Sequence, residues 1–152
     1  MDPVFSLSNE TFKYFLGHTA VVIAKTISVA VVTGFNRVSN TAFMNEEDAK
    51  AIIGGAPDGK PKTTPTIDRL KRMHMNDLEN VIPFVLIGLL YTATRPDPAS
   101  ALLHFRVFTT SRVLHSFVYY FAVPQPARAL CYSAGMLSLV SMIYTVFSHG
   151  AL

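Results

Sequence analysis

YFLGHTAVVIAKTISVAVVTGF, residues 14–35, decides the architecture. Apolar and small side chains dominate the run, and His18 and Lys25 are its strongly polar interruptions. A helix needs about 20 such residues to cross a bilayer. The preceding MDPVFSLSNETFKYF has no basic cluster, and no small-residue cleavage site closes the apolar stretch. The segment therefore reads as a retained span and not as a removable leader. Working outward, the first span covers about 12–35, and three more runs of spanning length follow at about 73–94, 99–121 and 127–147. They predict an all-α integral membrane protein, a four-transmembrane-helix bundle that forms a single domain over residues 1–152.

Composition agrees. Half of the residues are hydrophobic, 15% are charged and the mean hydropathy is +0.33, more apolar surface than a soluble domain of this size hides. The net charge of +3 does not indicate nucleic-acid binding, because the basic residues form no stripe interleaved with aromatics. The single cysteine, Cys131, excludes an intrachain disulfide framework and a CxxC site. Without HExxH or clustered Cys and His, no metal is expected.

Arg95-Pro96-Asp97-Pro98 and Val123-Pro124-Gln125-Pro126 are short breaks, where proline ends one helix and cannot continue it. Short connections predict antiparallel neighbours. The loop 36–72 carries Arg37, Lys50, Lys60, Lys62, Arg69, Lys71 and Arg72, while the opposite side offers little beyond Arg95 and Lys13. By the positive-inside rule the loop is cytosolic. Within it, Asn45 to Ile53 reads as a short helix and residues 54–59 as irregular backbone. The sequon Asn9-Glu10-Thr11 lies too close to the membrane to be expected to carry a glycan.

A charge inside a span costs about 2.5–3.5 kcal/mol on insertion scales, so Asp77, Glu79, Arg106 and Arg112 must face protein or water. With four spans alternating in direction, the end of span one, the start of span two, the end of span three and the start of span four share one face. That gathers Arg37, Arg72, His74, Asn76, Glu79, His115, Tyr119, Arg128 and Tyr132 into one layer. Arg72, Asn76 and Glu79 recur at i, i+4, i+7; Arg112, His115 and Tyr119 at i, i+3, i+7; Arg128 and Tyr132 at i, i+4, so each set shares a helix face. Spacing alone leaves two readings open. One is a buried site for an anionic or zwitterionic ligand; the other is structural, with Glu79 neutralising Arg72 or Arg112 and the aromatics forming an interfacial belt. Lys25, too deep to snorkel, is expected to pair with Asp77, and exchanging the two charges is expected to preserve folding. His18, His104 and His149 read as interfacial.

Several strings carry a resemblance. Arg72-Met73-His74-Met75-Asn76-Asp77-Leu78-Glu79-Asn80-Val81-Ile82-Pro83-Phe84, then Pro96-Asp97-Pro98, Leu103-His104-Phe105-Arg106 with Arg112 and His115, and Pro124-Gln125-Pro126-Ala127-Arg128-Ala129-Leu130 resemble the membrane-associated eicosanoid and glutathione enzymes, the MAPEG family. Asn45-Glu46-Glu47-Asp48-Ala49 adds to the match, which runs from about Lys25 to Tyr132. The resemblance implies a homotrimer of four-helix subunits in the endoplasmic reticulum membrane or the mitochondrial outer membrane. It further implies glutathione held at the cytosolic side between subunits, as co-substrate with hydrophobic electrophiles and lipid hydroperoxides. Carried over by motif, Arg37, Arg72, Asn76, Glu79, His115, Tyr119, Arg128 and Tyr132 match glutathione-binding positions, Arg128 and Tyr132 the catalytic ones, with Arg112 supporting Glu79 and His74 beside them. Met75 and Ala129 depart from the prostaglandin-synthesising branch and match the transferase branch. Ala49 stands where that branch has a loop cysteine, so thiol-based activation there is not expected. A non-catalytic lipid-presenting member and a small transporter are the competing classes; charges collected at one face instead of along a path weigh against the transporter.

Overall fold

The computed structural model describes residues 3–51 and 60–150, so the irregular stretch expected at 54–59 lies outside the described residues. Within the described residues the regular structure is helical: α1 (Glu10–Ser39), α2 (Glu46–Ala51), α3 (Pro65–Ala93), α4 (Pro98–Tyr120) and α5 (Ala127–His149). The long helices pack as antiparallel neighbours α1 on α3 and α4 on α5, with α1 also on α4 and α3 on α5. Helix α2 falls within the segment expected to be helical; residues 52 and 53 lie outside the described residues. By length and composition α1 and α5 are apolar enough to cross a membrane. The charges of α3 and α4 set those two helices apart, and Asp77 and Arg112 among them are turned into the protein.

Local chemistry sets the helix ends. Asn9 caps α1, its Oδ1 accepting from the Thr11 N–H at 3.0 Å while its Nδ2 donates to the Val4 carbonyl at 2.7 Å. The sequon asparagine is thus committed to the cap. Helix α3 starts eight residues before the apolar run at about 73, because Thr64 caps it and Pro65 has the fixed φ that suits a first helical position. Pro83 lies inside α3 and leaves the Glu79 carbonyl without its helical N–H donor. Helices α1 and α4 end in Schellman-type turns through Thr41 and Ala122, both at positive φ (47° and 56°): Ala42 N–H donates to the Arg37 carbonyl and Val123 N–H to the Val118 carbonyl, each at 2.9 Å.

Asp97 caps α4, its carboxylate accepting from the Ser100 N–H at 2.9 Å. That hydrogen bond holds the carboxyl below the usual carboxylate range. A depressed folded-state value means that the cap contributes above the unfolded pKa of about 3.9 and is lost as the pH falls through the folded value. The thermal advantage of the native chain over Asp97→Asn is therefore expected to shrink below about pH 4. Thermal unfolding curves of both proteins across that range check this.

The core is divided along its length. At one end Phe15, Phe84, Tyr91, Phe105 and Phe108 form an aromatic cluster, with Phe84 stacked on Phe108 at 4.0 Å and set edge-on to Phe105 at 6.0 Å. Gly88 permits it, because a Cβ there would stand 2.6 Å from the Phe15 ring. At the other end Val29, Leu70 and Met73 form a small cluster with Tyr119, joining the end of α1, the start of α3 and the end of α4. The outer surface remains apolar, with Leu137 70% and Leu86 61% exposed. Apolar exposure on this scale marks a surface meant for lipid or protein.

Candidate functional site

Between the two clusters lies a buried polar network. Lys25 from α1 pairs with Asp77 from α3, as their depth predicts, and its ammonium also donates to Ser116 Oγ at 3.0 Å. Arg112 of α4 is fully buried, and its Nη2 donates to Asn76 Oδ1, to Asp77 Oδ1 at 3.4 Å and toward His115 Nδ1 at 3.3 Å. Two cations thus share one carboxylate in an interior where an unpaired charge is costly. Ser116 also donates to the Arg112 carbonyl at 3.2 Å, which ties it into the same network.

From this network contacts run toward the end of the molecule that bears the loop. The His115 ring lies 5.6 Å from the Tyr119 ring, and the Arg128 guanidinium carbon stands 5.2 Å from the Tyr119 ring centre, within cation–π range. Arg128 is placed by the first turn of α5, which lacks a side-chain cap on its Pro126 N-cap; Gln125 Oε1 instead accepts from the Ala129 N–H at 3.2 Å. The structure therefore links Asn76, Arg112, His115, Tyr119 and Arg128 through direct contacts spanning three helices.

The other expected residues are placed differently. Arg72 and Glu79 stand exposed on α3, and Tyr132 on α5 is 38% exposed. Arg37 is half-buried, with Nη2 donating to Met44 Sδ at 3.5 Å. Two expectations change. Arg112 does not turn to Glu79; it reaches Asn76, Asp77 and His115, because Asp77 faces the interior while Glu79 stands about half a turn round the helix. His74 shares the depth of the layer but not its face, for it lines an apolar cavity of about 480 Å³ between α1 and α3 with Leu78 and Val81. Ser116 and the Asp77–Arg112 contact were not anticipated; the matching depths of Lys25, Asp77 and Arg112 were the available signal.

Several buried polar atoms lack a hydrogen-bond partner among the described residues, including Arg112 Nε and Nη1, Arg128 Nε, Arg37 Nε and Asp77 Oδ2. Such atoms call for a ligand, water or a neighbouring subunit, since buried polar groups are otherwise almost always paired. Among the described residues no group of three or more His, Cys, Asp or Glu could hold a metal ion.

The chain is 38% identical over 139 residues to microsomal glutathione S-transferase 1 of Homo sapiens and 39% identical over 140 residues to that of Bos taurus, in each case 91% of this chain and 90% of the relative. It is also 36% identical over 150 residues to prostaglandin E synthase of Canis lupus familiaris, 98% of this chain and 96% of the relative. The sequence profile of the MAPEG family matches residues 15–148, and with these relatives it establishes that the chain belongs to the MAPEG family.

Proposed function

We propose that this protein is a membrane-bound glutathione transferase that joins the glutathione thiolate to hydrophobic electrophiles and also reduces lipid hydroperoxides. The observation that carries the reading is the contact chain from Arg112 through His115 and Tyr119 to Arg128, whose buried arginine nitrogens lack partners among the described residues. Glutathione has two carboxylates, an ammonium and a thiol. Planar guanidinium forks suit carboxylates, so Arg37 and Arg72 hold them, and Glu79 takes the ammonium. The exposed charges on α3 are then covered by a neighbouring subunit, in the homotrimer that the resemblance to the family implies. On this reading the layer lies at the cytosolic face of the endoplasmic reticulum membrane, and the positive charge of the loop supports the cytosolic side.

A free thiol has a pKa of about 8.5, so little of it is thiolate at neutral pH. Arg128 stabilises the thiolate as the proton leaves to solvent. Sulfur then attacks the electrophilic carbon, a C–S bond forms, and the leaving group departs with its electron pair. Tyr132 donates its hydroxyl to the sulfur or to a developing oxyanion. Proximity and thiolate stabilisation suffice for this chemistry.

The likeness to prostaglandin E synthase over nearly the whole chain supports a second reading, a glutathione-dependent isomerase of prostaglandin endoperoxides. Met75 and Ala129 favour the transferase. Comparing turnover of a halogenated nitrobenzene with that of a prostaglandin endoperoxide tests the choice. The transferase reading expects the first to dominate, and exclusive turnover of the endoperoxide would overturn it.

A further inference from the structure

On the side of α3 away from its exposed charges, an open cavity of about 300 Å³ separates α1 from α4. Val29, Val32, Met73 and Phe117 wall it, and Lys25 and Ser116 stand at its inner end. The Lys25 ammonium is turned inward to Asp77 and Ser116, so the residue presents its methylene stem to the cavity. From Lys25 to Val32 along α1 the slot is about 10 Å deep. Leu70 and Tyr120 continue it into a second cavity of about 270 Å³, closed by Pro65, Thr66 and Arg69.

Arg69 has no hydrogen bond or ion pair among the described residues, and the adjacent acid, Asp68, accepts instead from Thr63 Oγ1 at 2.8 Å. The result is an apolar slot with a cation that no described residue compensates, and a hydroxyl, at its mouth. Resting on the membrane reading above, we infer that this slot binds an anionic phospholipid of the leaflet on the loop side, with one acyl chain between α1 and α4 and the phosphate at Arg69 and Thr66. A second copy of the chain is the weaker occupant. Arg72 and Glu79 lie about 100–180° round α3 from Leu70 and Met73, and a charged face in a bilayer needs protein cover. Subunit contacts therefore take that face, which leaves the slot toward lipid.

The full-length protein, reconstituted in phosphatidylcholine nanodiscs, receives either phosphatidylglycerol or phosphatidylcholine bearing a photoreactive acyl chain, and labelled peptides are mapped by mass spectrometry. The anionic probe is expected to label residues 28–32 and 113–120 about five-fold more than the neutral one, the ratio that one basic side chain near an anionic leaflet supplies. Arg69→Gln should remove that excess, as should Ser28→Trp, which fills the slot. Helix α5 should be labelled equally by both probes. Equal labelling of the slot by the two probes, or an excess that survives Arg69→Gln, would overturn the assignment. Cross-linking of the slot peptides to a second copy would overturn it in favour of a protein interface. Absence of label on every helix, α5 included, would overturn the membrane reading and this inference with it.

Discussion

Replacing Arg128 with alanine is expected to lower turnover of a halogenated nitrobenzene with glutathione by about 10²–10³-fold, the loss typical of removing one preorganised charge-stabilising group. Arg128 stands in the first turn of α5, partly buried, over the Tyr119 ring and with Nε unpartnered among the described residues. Among the described residues it bonds to none of the buried network directly, so its removal should leave the thermal midpoint nearly unchanged. Arg128→Lys keeps the charge but loses the fork and the ring stacking, and partial activity is expected. Steady-state kinetics and a thermal melt on the same preparations check both statements. A fully active alanine variant would refute the role assigned to Arg128.

Asp77→Ala should destabilise the fold by about 3–5 kcal/mol, the cost of leaving buried cations without their partner. Asp77 is fully buried and serves both Lys25 and Arg112. The third member alters what a charge exchange can do. If Lys25 and Asp77 formed an isolated pair, Lys25→Asp with Asp77→Lys would restore folding. With Arg112 Nη2 only 3.4 Å from Asp77 Oδ1, a lysine at position 77 meets a second cation, so the exchanged protein is expected to stay unfolded. The yield of detergent-solubilised, monodisperse protein and its thermal midpoint measure this. Recovery of native stability in the exchanged protein would show that Arg112 does not belong to the network.

How far the sequence carried depends on the kind of interaction. Apolar run length and paired prolines located the four long helices closely, because burial of long segments and loss of the backbone donor at proline are local properties. The start of α3 was missed by eight residues, since hydropathy marks where the apolar run begins whereas Thr64 and Pro65 determine where the helix begins. Depth was also legible: Lys25 and Asp77, and the layer of Asn76, His115, Tyr119 and Arg128, follow from alternating helix direction. Rotation about each helix was not. His74 belongs to the layer by depth yet faces a different cavity, and Arg112 turned to Asp77 instead of Glu79 because α4 packs against the interior face of α3. Those choices arise from packing between helices distant in sequence, which spacing along one helix cannot specify.

In the proposed function, this protein turns the glutathione thiol into a bound thiolate beside Arg128. The most direct test adds glutathione to the purified, detergent-solubilised protein and follows thiolate absorbance in the ultraviolet near neutral pH. A signal in fixed proportion to the protein that disappears in Arg128→Ala is expected. A protein that binds no glutathione and gives no thiolate signal would contradict it and favour a non-catalytic, lipid-presenting member of the family.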